Sequence, residues 1–282
     1  MSVISVFGSK YNRYDKPSYI SAILEISDRR YFEEAGNLKI DFFKRDVKSG
    51  DIVIVGSEIF GSSTDKEVYY LYSYDQLEIR DFKEEMRQRD IQIIVIRHNT
   101  KSRIPAFLED ICIIISPGFS NDARYVDRII RTISALKSIE VGKVRESRLV
   151  ELVDMLLPRY GFRNEKRNGF GLFYFGDYDT MYSYQYKDPF GKLLEEKWLV
   201  EVKNDNEISD VHAINRLSSI MYSRREPLNI LYVTSNIINS KVEKMMEELR
   251  YEARQRIRII DAYELKQLLA LNLKVAEKFF DL

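Results

Sequence analysis

The sequence predicts an α/β protein built as two domains. Three observations lead there. The chain has 282 residues, and at roughly 150 residues per domain that length favours two units, each able to bury a core. In the first half, short β-branched runs alternate with helical patterns, the mark of a sheet covered on both faces. In the second half the elements come in another order, α-β-β-β-α-β-α-β-α.

Taken along the chain, Val3–Phe7 reads as a strand, Tyr19–Ile26 has helical spacing after Pro17, and Leu38–Phe43 reads as a second strand. Asp51-Ile-Val-Ile-Val-Gly56 is a β-branched run closed by glycine, which suits a buried parallel strand. The amphipathic stretch Tyr74–Arg89 follows, then the runs Ile91–Ile96 and Ile111–Ile115. Asn121–Lys137 places Val126, Ile129, Ile130, Ile133 and Leu136 at helical spacing. The linker is placed at 138–143, around Gly142, so the domains are 1–140 and 144–282. Beyond it, Arg145–Tyr160 is an amphipathic helix ended by Gly161. Gly169–Phe175, Thr180–Tyr186 and Trp198–Val202 read as strands, with a turn at Lys187-Asp-Pro-Phe-Gly-Lys192. Helices are expected over Asp210–Tyr222, Asn239–Gln255 and Ala262–Leu271, and strands over Asn229–Thr234 and Ile257–Ile260.

Composition excludes several classes. Lys plus Arg total 44 and Asp plus Glu total 44, so the chain is no general polycation coating nucleic acid. The charge does not segregate either: 21 basic and 22 acidic residues lie in 1–142, and 23 and 22 in 143–282. No apolar run reaches the roughly 18 residues of a membrane span, and the start lacks a secretory pattern, so the cytoplasm is expected. One cysteine, Cys112, allows no intramolecular disulfide, and its apolar run suggests a buried, inert thiol. With two histidines, His98 and His212, a histidine-built zinc site is not expected.

The chemistry concentrates at Asp179 and, 22 residues later, Glu201-Val-Lys203. In a strand, residues i and i+2 share a face, so Glu201 and Lys203 point the same way at the end of the apolar run Trp198-Leu-Val200. Asp179 starts the preceding strand, and antiparallel pairing would set it beside Glu201. Asp177 competes for the same role. Two carboxylates beside an ammonium are what metal-assisted phosphodiester hydrolysis needs: the acids hold Mg²⁺ or Mn²⁺, and the lysine serves water and phosphate.

From about residue 144 to 271 the chain resembles the restriction-endonuclease-like PD-(D/E)xK superfamily, particularly its Mrr-type nucleases. The resemblance lies in the leading helix with Leu-Leu-Pro-Arg-Tyr-Gly161-Phe162, Asp179, Leu-Val-Glu201-Val-Lys203, Asn229-Ile-Leu-Tyr-Val-Thr234-Ser235, and Ile257 to Leu265. It implies a mixed central sheet, a DNA substrate, Asp179 and Glu201 as metal ligands, and Lys203 as the catalytic base or phosphate partner. Many Mrr-type members carry Gln where Glu201 stands; the Glu version is closer to the Holliday-junction resolvases. Family members often add a first-helix Glu to the metal site. That slot falls at Val150, and neighbouring Glu151 is assigned to it as a further metal ligand.

Phosphate contacts dominate nucleic-acid affinity, so local basic clusters are required. Arg163, Lys166 and Arg167 follow the first helix, and Arg254 and Arg256 cluster with Arg250 and Arg258. Each cluster also reads as an ordinary solvated face. The tyrosines Tyr182, Tyr184 and Tyr186 are candidates for base stacking or, alternatively, for packing on the sheet. The first domain reads as Rossmann-like. Gly8-Ser9 and Gly56-Ser57 lie at strand ends, where such sheets bind ligands, with Glu58, Ser62 and Ser63 nearby. No dinucleotide or P-loop motif is present, so a nucleotide ligand there rests on fold analogy to TIR-like or nucleotide-sensing domains. A catalytically silent nuclease fold that binds nucleic acid or mediates assembly is the alternative function. Two cuts on a duplex need two sites, so a homodimer is expected.

Overall fold

The computed structural model describes residues 3–6, 47–56, 76–96, 104, 112–115, 123–136, 146–165, 180–204, 207–223 and 228–282. The chain divides into two compact units, Met1–Arg131 and Thr132–Leu282. Both are mixed α/β.

In the first unit, strands β1 (Val3–Val6), β2 (Ile52–Gly56), β3 (Gln92–Ile96) and β4 (Cys112–Ile115) form a four-stranded parallel sheet in the order β1-β2-β3-β4. Val3 pairs with Ile52, Ile52 with Gln92, and Ile93 with Cys112. Consecutive residues Ile52 to Val55 and Ile93 to Ile96 are all buried, although they alternate faces. Both faces of these strands are therefore covered, which is why the runs are continuously apolar. Helix α1 (Gln76–Gln88) buries Phe82 and Met86, four apart on one face. Helix α2 (Ala123–Leu136), within which the boundary between the two units falls, buries Ile129, Ile130 and Ile133. The expected helix at 19–26 and strand at 38–43 lie outside the described residues, as do Gly8, Ser9, Ser57, Glu58, Ser62, Ser63 and His98. Among the described strands the order never reverses, so they contain no switch point of the kind that opens a ligand crevice. Cys112 is half-buried at the start of β4, rather than sealed in the core.

The second unit opens with helix α3 (Glu146–Leu156) and a 3-10 turn (Leu157–Tyr160). Gly161 ends them with φ +87°, its N–H donating to the carbonyls of Leu157 and Pro158. Strands β5 (Phe162–Asn164), β6 (Thr180–Lys187) and β7 (Leu193–Lys203) pair antiparallel, while β8 (Asn229–Thr234) and β9 (Ile257–Ile260) join β7 in parallel. The sheet order is β5-β6-β7-β8-β9. Helix α4 (Glu207–Ser223) links β7 to β8, and α5 (Ser240–Glu248) and α6 (Tyr251–Arg256) link β8 to β9. Helices α7 (Ala262–Leu271) and α8 (Leu273–Phe280) close the unit.

Each face of this sheet carries its own apolar cluster. Val200, Val202, Leu231 and Val233 pack with Leu149, Leu152 and Leu156 of α3 and with residues of α7 and α8. Leu199, Ile230 and Tyr232 pack with Ile214 and Leu217 of α4, Val242 of α5 and Ala253 of α6. Adjacent residues of β7 and β8 thus go to opposite sides, as the strand pleat requires. No described helix is long and apolar enough to cross a membrane.

Some details differ from the sequence expectation. The strand after α3 is Phe162–Asn164, while the expected run 169–175 lies outside the described residues. The single helix expected over 239–255 is two, broken where Leu249 and Arg250 take extended ψ angles. Helix α8 lies beyond the last element that the apolar pattern suggested.

Candidate active site

The strand pleat fixes where the E-x-K residues point. Leu199 belongs to the α4-side cluster and Val200 and Val202 to the α3 side, so Glu201 and Lys203 face α4. At this end β7 pairs with β8, Glu201 opposite Tyr232, and Glu201 has 0% of its surface exposed. Lys203 Nζ lies 3.6 Å from Glu201 Oε1. A second cation reaches the same oxygen: Arg216 of α4 donates from Nη2 to Glu201 Oε1. Arg216 directly precedes Leu217, which is buried against the sheet, while its own side chain is 45% exposed. The guanidinium therefore turns inward from the rim of the helix. A buried carboxylate loses its hydration, and the two cations offset part of that cost.

The ends of the parallel strands are laced by polar groups. Ser235 N–H donates to the Lys203 carbonyl at 3.1 Å, and Ser235 Oγ donates to buried Asn204 Oδ1. Asn236 N–H donates to Thr234 Oγ1 at 3.2 Å. Asp261 accepts from Glu264 N–H at 3.0 Å and from Ile238 N–H at 3.3 Å, capping α7 and holding the loop after β8. Lys203 therefore ends on a fixed rim, the edge of an α/β sheet where ligands commonly bind.

Asp179 and its competitor Asp177, and Lys166 and Arg167, lie outside the described residues. The β6–β7 register ends with Thr180 opposite Val200. Asp179 and Glu201 are the residues next to that pair in sequence.

The structure does not bring Glu151 to Glu201. Glu151 is exposed on α3 and pairs with Arg148 at 2.6 Å. The buried side of α3 packs against Val200 and Val202, the opposite face from Glu201. Asp154 of α3 does engage the sheet: it accepts a hydrogen bond from the hydroxyl of buried Tyr182 and lies 3.5 Å from Asn164 Nδ2. Burial, and then this bond to Asp154, push the Tyr182 hydroxyl well above the usual tyrosine range.

The basic candidates sit elsewhere. Arg163 stands on edge strand β5, in register with Ser183, which pairs with Lys197. Arg254 lies over the Tyr251 ring at 5.8 Å. Arg256 directly precedes β9, whose first residue aligns with Ile230 and through it with Leu199. These two arginines therefore border the strand starts, whereas Lys203 lies at the strand ends. Arg258 is paired with Glu264.

Sequence reasoning missed Arg216. The available signal was a lone cation beside the sheet-facing residues of the helix that follows the E-x-K strand. As for a metal, Glu201 supplies the hard oxygen that Mg²⁺ favours. Among the described residues, however, no group of three or more His, Cys, Asp or Glu side chains could hold a metal ion. Compared with protein-family models, curated proteins and solved structures, the chain has no match.

Proposed function

We propose that residues 144–282 form a metal-dependent nuclease domain of the restriction-endonuclease-like PD-(D/E)xK type that hydrolyses DNA phosphodiester bonds. The observation carrying this reading is the pairing of Glu201 and Lys203 on one face at the end of β7, with β6 beginning directly after Asp179. The order α3-β5-β6-β7-α4-β8 and the mixed sheet support it.

In this reading Asp179 and Glu201 hold Mg²⁺ or Mn²⁺, which when bound supplies an activated water and charge stabilisation at phosphorus. Lys203 donates to the phosphate oxygens and orients the attacking water. Arg216 donates to Glu201 Oε1 and holds the carboxylate toward α4. The first unit, in this reading Rossmann-like, serves sensing, targeting or assembly, with a nucleotide as its candidate ligand. A homodimer supplies the second site for a double-strand cut.

The test is a cleavage assay with Mg²⁺ or Mn²⁺ on linear, branched and single-stranded DNA. Glu201→Gln and Lys203→Ala are each expected to lower cleavage at least 100-fold, the loss of about 2.7 kcal/mol of barrier stabilisation. Cleavage unchanged in both variants would overturn the assignment. A second reading is favoured by the complete burial of Glu201 under two cations. There the cluster is a structural ion pair in a nuclease fold that only binds. Nucleic-acid binding without metal-dependent cleavage of any substrate would establish it.

A further inference from the structure

The β6–β7 hairpin ends in Lys187-Asp-Pro-Phe-Gly-Lys192, far from Glu201 along the strand. Asp188 organises this tip. Its Oδ1 accepts from Phe190 N–H at 2.9 Å and from Lys192 N–H at 2.8 Å. Its backbone N–H donates to the Lys192 carbonyl at 2.9 Å, and its carbonyl accepts from Gly191 N–H at 2.9 Å. Gly191 takes the turn at φ +85°. The Asp188 carboxylate is thus engaged within the turn, and the turn holds Phe190 95% exposed. A single exposed apolar residue is ordinary. This one stands on a hydrogen-bonded turn between two exposed lysines, Lys187 and Lys192.

The shaft below has the opposite character. Glu195 accepts from Gln185 Nε2 at 3.0 Å, and Glu196 from Asn229 Nδ2 at 3.3 Å. Lys197 pairs with Glu165 at 2.6 Å. Tyr184 and Tyr186 stack on each other with centroids 6.0 Å apart. Next to the tip β7 carries the acids Glu195 and Glu196, so the lysines of the hairpin that are clear of these acids are the two at its tip.

An exposed aromatic ring on a turn flanked in sequence by two exposed lysines has the chemistry to meet a nucleobase and its neighbouring phosphates. We propose that the hairpin tip is a nucleic-acid wedge, in which Phe190 stacks on an exposed base and Lys187 and Lys192 each contact a backbone phosphate. This deepens the function proposed above and rests on its nucleic-acid partner. The substrate feature it selects is an unstacked base, as at a duplex end, an overhang or a branch point. Eight residues of β7 separate Leu193 from Glu201, about 26 Å at strand rise, so the wedge engages the nucleic acid about eight nucleotides from the cleavage centre.

The test uses the full chain in EDTA, with fluorescein-labelled DNA as circular continuous duplex, overhang and four-way junction. Wild type is expected to bind the overhang and junction more tightly than the continuous duplex. Phe190→Ala should weaken that binding about tenfold, the size of one lost base–aromatic stack, while melting at the wild-type temperature. Phe190→Trp should keep the affinity and lose tryptophan fluorescence on binding. The native Trp198 in the wild-type chain gives the baseline. Lys187→Ala with Lys192→Ala should reduce the salt slope of log K by about two. If Phe190→Ala binds like wild type and the Phe190→Trp signal is unchanged, the wedge is wrong while the nuclease reading stands. If wild type binds none of the probes, both fall. If Phe190→Ala instead abolishes self-association with DNA affinity intact, the tip belongs to a second copy of the chain and the wedge is wrong.

Discussion

Glu201 is a carboxylate with no exposed surface, and two cations meet at one of its oxygens. A buried ion pair is weak evidence for stability, because desolvation opposes the Coulomb gain. Tyr182 is the clearer structural residue. Its hydroxyl donates to Asp154, which ties β6 to α3. Tyr182→Phe deletes this one side-chain hydrogen bond and should cost about 1 kcal/mol near neutral pH. The same substitution tests the pH dependence. The Tyr182 pKa is raised in the folded state from an ordinary value of 10.0, by burial first and the bond to Asp154 second. The folded protein thus retains a proton that the unfolded chain releases. That contribution is complete below pH 10 and is lost as pH rises above it. Urea unfolding at pH 8 and pH 11 should show a steeper loss of stability in wild type than in Tyr182→Phe. Equal slopes would mean that Tyr182 ionises normally. At this scale the sequence showed Glu201 and Lys203, because strand alternation alone puts i and i+2 together. It did not show Arg216 or Asp154, whose partners lie 15 and 28 residues away and are met only through folding.

Element by element, the legible parts were those with a strong local period. Ile52–Gly56, Gln92–Ile96 and Cys112–Ile115 carry continuous β-branched runs, and each is a strand within a residue of its expected start. The break between α5 and α6 has no such signal, since no Gly or Pro lies between 239 and 255. Helix α8 was hidden because it follows α7 across only Asn272. The outer half of β7 was hidden for another reason. Residues 193–198 are exposed or half-buried, so their sequence lacks the apolar run that marked Trp198–Val202. Glycine punctuation was read correctly at 161. There an added Cβ would meet Tyr184 Cε2 at 3.2 Å, and φ is +87°. Gly161→Ala should therefore lower stability by about 1–2 kcal/mol, measured as a fall in the urea midpoint at constant slope. An unchanged midpoint would show that the turn relaxes without strain.

For the whole molecule, zero net charge limits how a nucleic-acid partner is held without excluding one. Sheet topology gives that limit a location. The second unit joins an antiparallel half, which extends into the hairpin with lysines at its tip, to a parallel half whose strand ends carry Lys203 and the polar rim. Arg254 and Arg256 border the other edge of the same sheet, so basic groups are distributed rather than gathered at one surface. In the function proposed above, Glu201 and Asp179 together hold a divalent cation. A crystal soaked in Mn²⁺ tests this most directly through anomalous scattering. A manganese peak is expected about 2.0–2.3 Å from a Glu201 carboxylate oxygen, with Asp179 as a second ligand and Arg216 displaced from Oε1. A fully soaked crystal with no peak there, and Glu201 still held by Arg216, would contradict it.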